Sequence, residues 1–334
     1  MIFVTGGTGL VGSHILLKLS QDGKPFKALK RPSSSLNICR NVFSEYNQAE
    51  LFARINWVDG DVNDIPSLEI AIQNCDYILH CAAIVSFHPS DAGLLKKVNI
   101  EGTANVMNVA LTSSVKKVGY ISSIAALGRN STEGIVDEDC HFTSTKLVSN
   151  YAFSKYYAEQ EVWRASQEGL DVVIINPSVI LGPGDWTKGS SQIFQRIHKG
   201  LKFYSTGSTG YVDVVDVANA LISLLFSEIK NERFIVNGAN LKYRDIFDRI
   251  AESFDKPKAT IRVSPLLKEI AWRLEVIRSF ISGKNPLITK ETANSAMTEV
   301  SYSTEKIIKT IGFIFTDIDI TIKKYCDWYI KDLK

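Results

Sequence analysis

The chain of 334 residues is 45% hydrophobic and 22% charged, with 38 Lys and Arg against 36 Asp and Glu for a formal net charge of +2. This is the make-up of an ordinary globular protein, long enough for one large or two modest cores. A charge so near zero, with basic residues scattered apart from short pairs such as Lys96-Lys97 and Lys323-Lys324, supplies no field for holding a polyanion and argues against a nucleic-acid partner.

The N-terminal Met1-Ile2-Phe3-Val4 runs directly into Thr5-Gly6-Gly7, without the basic region or cleavage site of a secretory signal. The longest apolar runs, at 172–175 and 224–226, fall far short of the roughly 18 residues of a membrane span. A cytoplasmic protein without a transmembrane segment is expected. Five cysteines, Cys39, Cys75, Cys81, Cys140 and Cys326, lack metal-ligand spacing, so reduced thiols and no metal site are expected.

Through residue 178, short β-rich runs alternate with helical patterns. Strands are predicted at 2–4, 25–29, 55–58, 77–80, 118–121 and 172–175, and helices at 10–20, 47–53, 67–73, 92–112 and 151–167. Such alternation, with near-continuous apolar strands, predicts an α/β fold: a Rossmann-type, doubly wound parallel sheet covered on both faces. Beyond 178 the rhythm breaks into the turn-rich segment 182–210, a helix at 218–226, a further strand at 234–236, and helices at 243–251, 266–281, 305–311 and 318–331. The expected division is a cofactor-binding unit over 1–178 with returning segments near 211–237. A smaller, mostly helical C-terminal substrate lobe is expected over 179–210 and 238–334.

Directly after the first strand come Thr5-Gly6-Gly7-Thr8-Gly9-Leu10-Val11-Gly12. Glycines at this spacing let the backbone turn tightly and approach a pyrophosphate, and the following helix N-terminus presents free N–H groups to it. The second strand ends in Lys30-Arg31 where an NAD site would carry an acid for the ribose 2′-hydroxyl. A guanidinium suits a 2′-phosphate, so NADP(H) is expected in preference to NAD(H), with Arg31 as its contact. A solvated loop is the alternative for Lys30 and Arg31.

Tyr151 and Lys155 are four residues apart and share a helix face. The same spacing recurs at Tyr302 and Lys306, far from any cofactor strand, and is read there as packing and a solvated residue. Ser122 and Ser123 close the fifth strand, at the sheet edge where ligands bind, with a helix or turn cap as the plain alternative. A tyrosine tuned by a neighbouring ammonium exchanges protons near neutrality, and a serine hydroxyl polarises a carbonyl while a nicotinamide exchanges hydride.

These residues resemble the extended branch of the short-chain dehydrogenase/reductase family, of the NAD-dependent epimerase/dehydratase type, over nearly the whole chain. The signposts are Thr5-Gly6-x-x-Gly9-x-x-Gly12, Gly60-Asp61-Val62, His80-Cys81-Ala82-Ala83, Val98-Asn99-x-x-Gly102-Thr103, Ser122-Ser123, Tyr151-x-x-x-Lys155, the segment 176–184, Tyr211-Val212-Asp213 and Tyr302-Ser303-Thr304. The resemblance implies that Asp61 and Val62 meet the adenine, that Cys81, Ala82 and Ala83 let the cofactor pass closely, and that Lys155 also holds ribose hydroxyls. It further implies that Ser123 and Tyr151 face the substrate, that Pro177, Ser178 and Val179 line the nicotinamide pocket, and that Asn99 and Ser122 belong to the site. Local capping is the alternative for Asp61, and local backbone satisfaction for Asn99.

Departures narrow the activity. Ile124 and Ala125 stand where nucleotide-sugar dehydratases of the family carry an acidic pair, and Thr209 stands where its epimerases place a diphosphate-clamping arginine. The segment 176–183 is instead similar to dihydroflavonol and cinnamoyl-CoA reductases, and 80–103 to 3β-hydroxysteroid dehydrogenases. The resemblance therefore implies reduction or oxidation of a mainly apolar carbonyl or alcohol, in a pocket walled by Val85, Phe87, Ile180, Trp186 and Tyr204, which interlobe packing would equally explain. His88 is read as a surface or capping residue. An epimerase with tightly held NAD and a non-catalytic NADPH sensor remain as alternatives. Relatives pair through helices corresponding to 92–112 and 151–167, so a homodimer is also implied, and the helix at 266–281 is read as domain packing ahead of membrane contact.

Overall fold

The computed structural model describes residues 1–128, 134–143, 148–282 and 289–333. In chain order the principal elements are β1 (Ile2–Thr5), α1 (Leu10–Gln21), β2 (Phe26–Lys30), α2 (Asn37–Glu45), β3 (Asn56–Asp59), α3 (Ile65–Ile72), β4 (Tyr77–His80), α4 (Gly102–Leu111), β5 (Lys117–Ile121), α5 (Asn150–Gln167) and β6 (Asp171–Pro177). They continue with β7 (Val179–Leu181), β8 (Ser208–Asp213), α6 (Val214–Leu225), β9 (Glu232–Val236), β10 (Ala239–Lys242), α7 (Tyr243–Ser253), α8 (Pro265–Ser282) and α9 (Ile318–Asp332).

Seven parallel strands form the central sheet in the order β9, β6, β5, β4, β1, β2, β3. The alternation of side chains along each strand divides the core into two layers. Ile2 and Val4 of β1, Leu79 of β4, and Val173 and Ile175 of β6 pack with α1, α6 and α9 on one face. Phe3, Ile78, Val172 and Ile174 pack with α3, α4 and α5 on the other. Burial on both faces accounts for strands that read as unbroken apolar runs. Strand order reverses between β1 and β4, so their carboxyl ends open a crevice at the switch point.

A three-stranded sheet, β7 and β8 parallel and β8 and β10 antiparallel, lies beyond that edge. The chain enters it after β6, returns through α6 and β9 to the central sheet, and leaves again through β10.

Three local departures from the sequence pattern have physical causes. The helix expected over 92–112 is one α-turn, Ala92–Leu95, a π-helical stretch, Lys96–Glu101, and then α4. At Gly102 a Cβ would lie 2.7 Å from Val62 Cγ2, and the π-turn carries the buried Asn99. Helix α2 lies outside the elements expected from the sequence and buries Cys39, Val42 and Phe43, residues of modest helix propensity. The helix expected at 47–53 begins at Ala49, because Asn47 adopts a left-handed φ of 55°.

Leu221 of α6 is fully buried and sits where Gly119 of β5 leaves room. Leu221→Ala is expected to lower unfolding stability by about 2–5 kcal/mol in urea titration, whereas Leu274→Ala on the exposed face of α8 changes it by less than about 0.5 kcal/mol. Equal effects would contradict this placement of the core.

Candidate active site

The glycine loop closes tightly between β1 and α1. Gly6 has a φ of +71°, and a Cβ there would sit 2.6 Å from the backbone of Cys81 and Ala82 at the end of β4. A Cβ on Gly12 would be 2.1 Å from the Gly6 carbonyl oxygen. Neither position accepts a side chain, so both glycines serve close backbone approach. Helix α1 begins after Gly9 with no side-chain cap and no acid in its first turn, leaving its N–H groups and positive dipole end available to an anion. Thr8, Leu10 and Val11 are partly exposed around that terminus.

At the end of β2, Lys30 is ion-paired with Asp59, whereas Arg31 is exposed and makes no ion pair among the described residues. The two adjacent cations thus separate into a strand-to-strand tie and a free guanidinium. Asp61 accepts from the Asn63 backbone N–H (2.9 Å) and side-chain amide (3.1 Å) in the turn before α3, whose N-cap is Asp64, so Asp61 does not cap that helix. Val62 is buried against Gly102, and its carbonyl accepts from Asn105.

Cys81, Ala82 and Ala83 follow β4 at the crevice, the first two pinned by N–H bonds to Thr5 Oγ1 at 3.2 Å each. Asn99 holds the next segment: its Oδ1 accepts from Ile84 N–H (2.7 Å), and its Nδ2 donates to the Ile84 carbonyl (3.0 Å) and Ser154 Oγ (2.9 Å). Its role is therefore backbone anchoring of the loop that carries Val85 and Phe87. His88 caps the short helical turn beginning at Pro89.

Ser123, Tyr151 and Lys155 converge at the end of β5. Ser123 Oγ accepts from Ala125 N–H (3.1 Å), capping a 3₁₀ turn. Burial raises the Tyr151 phenol above its ordinary range, and the neighbouring Ser123 hydroxyl opposes that rise. Lys155 is buried, with Nζ 2.8 Å from the Ile121 carbonyl and 2.9 Å from the Tyr120 hydroxyl. Burial pulls its amine down to about 7, against the attraction of Glu159. The sequence reading expects the ammonium to lower Tyr151. In the structure the amine bonds the Tyr120 hydroxyl and the Ile121 carbonyl.

Glu159 is one further turn along α5. Its Oε2 accepts from Ser122 Oγ (2.5 Å) and Asn176 Nδ2 (2.9 Å), and its Oε1 from Arg233 (3.0 Å) and Trp163 (3.3 Å). Asn176 also donates to the Ser123 carbonyl (3.0 Å), so a buried carboxylate braces both serines. Sequence reasoning missed this brace, although Tyr151, Lys155 and Glu159 form a continuous i, i+4, i+8 row.

Pro177, Ser178 and Val179 join β6 to β7, and Ser178 Oγ is buried without a hydrogen-bond partner among the described residues. Such an orphaned hydroxyl suits a polar ligand group. Phe87 lies edge-on to Tyr151 with ring centroids 5.5 Å apart, and Val85 is exposed on the same loop. Ile180 packs on the core. Trp186 packs against Phe194 and Tyr329 with Nε1 on Asp332 (2.7 Å). Tyr204 lies against Arg244 in a groove with Lys242 and Arg262.

Residues 2–236 match the NAD dependent epimerase/dehydratase family. The chain belongs to that family, within the extended short-chain dehydrogenases/reductases. It is 29% identical over 98% of its length to the putative dihydroflavonol 4-reductase of Synechocystis sp., covering 94% of that protein. It is 24% identical to the sterol-4-alpha-carboxylate 3-dehydrogenase, decarboxylating, of Dictyostelium discoideum, over 86% of this chain and 88% of the other. The crystal structure of gox2253 superimposes with a TM-score of 0.82 at 27% identity, over 99% of this chain and 98% of that one. The chain is thus an oxidoreductase of a family that uses a nicotinamide dinucleotide and acts on CH–OH groups. No helix among the described residues is long and apolar enough to cross a membrane.

His80, fully buried behind Cys81, is pulled from 6.5 to about 3, first by burial and then by the Lys155 charge. His14, on the buried face of α1, is pulled to about 4, chiefly by burial. Between pH 6.5 and these values the unfolded chain binds protons that the folded one refuses, so stability falls as pH falls through that window. The slope of unfolding free energy against pH, measured from pH 6.5 down to 4, is expected to be shallower by up to one proton in His80→Gln. An unchanged slope would contradict the buried neutral state of His80.

Proposed function

We propose that the protein is an NADP(H)-dependent oxidoreductase that interconverts a carbonyl and an alcohol on a mainly apolar small molecule. The observation that carries this reading is the Tyr151 phenol set beside Ser123 at the end of β5, with the Phe87 ring against it. The names of the reductase and sterol dehydrogenase relatives support a lipophilic, ring-bearing substrate. Ile124 and Ala125, in the 3₁₀ turn that Ser123 caps, supply no acid for elimination.

The donor set fits the cofactor. The uncapped N-terminus of α1 would hold the pyrophosphate, Arg31 the 2′-phosphate, Asp61 and Val62 the adenine side, and Pro177 to Val179 the nicotinamide side. When bound, the nicotinamide supplies or takes the hydride.

The residues of the chain handle the proton. In the reducing direction Ser123 orients the carbonyl oxygen towards Tyr151, and Tyr151, kept protonated by burial, donates its hydroxyl proton to that oxygen. The Ser122, Glu159 and Asn176 brace keeps the serine backbone in place during the transfer. Lys155, one turn along α5, tunes the tyrosine.

Tyr151→Phe is expected to lower carbonyl turnover by at least about 100-fold while NADPH binding, followed by fluorescence, persists. Turnover equal to the wild type would remove Tyr151 from the chemistry. Arg31→Asp is expected to weaken NADPH binding by about 10-fold or more and to leave NADH binding nearly unchanged, by the same titration. Equal losses for both cofactors would remove Arg31 from a 2′-phosphate contact.

A further inference from the structure

The near-neutral total conceals an uneven distribution of charge. Between residues 256 and 290 the sequence carries eight Lys and Arg against two Glu, a net +6, so the rest of the chain stands at −4 within the total of +2. Helix α8 occupies the middle of that basic segment.

The burial of α8 is inverted. Leu266, Ile270 and Leu274 stand at i, i+4 and i+8, so they share one face along about 12 Å of helix. They are 71%, 46% and 59% exposed. Lys268 and Glu275, on the opposite side of the helix, have side chains only 18% and 19% exposed. Lys268 donates to Asn294 Oδ1 at 2.7 Å and pairs with Glu269 at 3.3 Å, and Glu275 pairs with Arg278 at 2.8 Å. The charged side chains are thus the shielded ones and the aliphatic side chains the exposed ones, the reverse of a helix that packs its apolar stripe on its own domain. The sequence reading places domain packing ahead of membrane contact for this helix, and the inverted burial favours the contact.

Two neighbours extend the apolar surface. Ile261, four residues before α8, and its register partner Phe203 are both exposed. Arg273 borders the stripe, 57% exposed, with its guanidinium 4.5 Å from the Trp272 ring centre. A long cationic side chain beside an aliphatic face can lie along acyl chains and keep its charge at the headgroups.

We propose that α8 is a membrane contact, seated in the headgroup region of an anionic lipid surface with Leu266, Ile270 and Leu274 turned to the acyl chains and the surrounding basic segment facing the lipid charge. Apolar burial and the attraction of several cations act together in such a contact. The aliphatic face selects a lipid surface over a nucleic acid, whose phosphates offer nothing to three leucine-sized side chains. With three cations and two acids in its 18 residues, α8 is too polar to cross the bilayer and lies along it. The contact stands whether or not Tyr151 is the proton donor.

The test is flotation of the full-length protein with vesicles of phosphatidylcholine alone or of phosphatidylcholine and phosphatidylglycerol in equal parts. Binding to the mixed vesicles is expected to be at least about 10-fold tighter than to phosphatidylcholine, and to weaken as ionic strength rises. Ile270→Ser/Leu274→Ser is expected to lose at least about 10-fold in affinity for the mixed vesicles with an unchanged urea unfolding midpoint, because both side chains are exposed. Lys256→Glu/Arg262→Glu, which reverses two exposed charges of the basic segment, is expected to weaken binding as well and to leave less of it sensitive to salt. No flotation with either vesicle, or flotation that the two serines leave unchanged, would overturn the proposal. So would a dimer in sedimentation velocity that the two serines dissociate, which would assign the stripe to a second copy of the chain.

Discussion

A lysine amine taken out of water must find oxygen partners, and much of the architecture around the crevice meets that one requirement. Nζ of Lys155 reaches the Tyr120 hydroxyl and the Ile121 carbonyl, both on β5, which ties helix α5 to the middle of the sheet. Four residues further along α5, a second ionisable group, Glu159, is buried with Ser122, Asn176 and Arg233 as partners. Two charged groups one turn apart inside the protein fix the rotation and depth of α5 relative to β5, because neither tolerates losing its partners. Tyr151, one turn before Lys155, is placed by the same registration, beside Ser123 at the end of β5.

The same constraint explains how the glycine loop is joined to the proton-handling groups. Gly6 presses on the backbone after β4 so closely that Thr5 can accept from the Cys81 and Ala82 amides. His80 and Thr103 then fill the space between β4 and the first turn of α4 with mutually satisfied polar groups. A network of this kind is stable only when complete. The geometry of the cofactor side and that of the Tyr151 side are therefore coupled through the interior of the sheet as well as across the open crevice.

Much of this was legible from the residues. The parallel sheet, its strand assignments and the pairing of a glycine loop with Ser123, Tyr151 and Lys155 follow from alternation, spacing and chain order, which depend on local pattern. The short strands β7, β8 and β10 escaped because their pairing is long-range and their side chains carry no clean alternation. The π-turn at Lys96–Glu101 escaped because one extra residue in a turn does not disturb apolar periodicity enough to show. Tyr120 reads as one more apolar residue of a buried strand, and only the three-dimensional placement of Lys155 shows that its hydroxyl accepts a buried bond. Trp186 and Tyr204, pocket walls by residue type, contact Asp332 and Arg244, partners that residue type alone does not reveal.

The central claim is that Tyr151 and its neighbours reduce an apolar carbonyl with hydride from NADPH. The most direct measurement follows deuterium by mass spectrometry from NADPH labelled at the nicotinamide C4 into a panel of aryl aldehydes, polycyclic ketones and aliphatic ketones, with a nucleotide sugar as comparator. The account predicts deuterium on the newly formed alcohol carbon of a ring-bearing member of the panel, one atom per turnover. Absence of label in every carbonyl compound, together with epimerisation of the nucleotide sugar by protein carrying tightly held NAD, would contradict it.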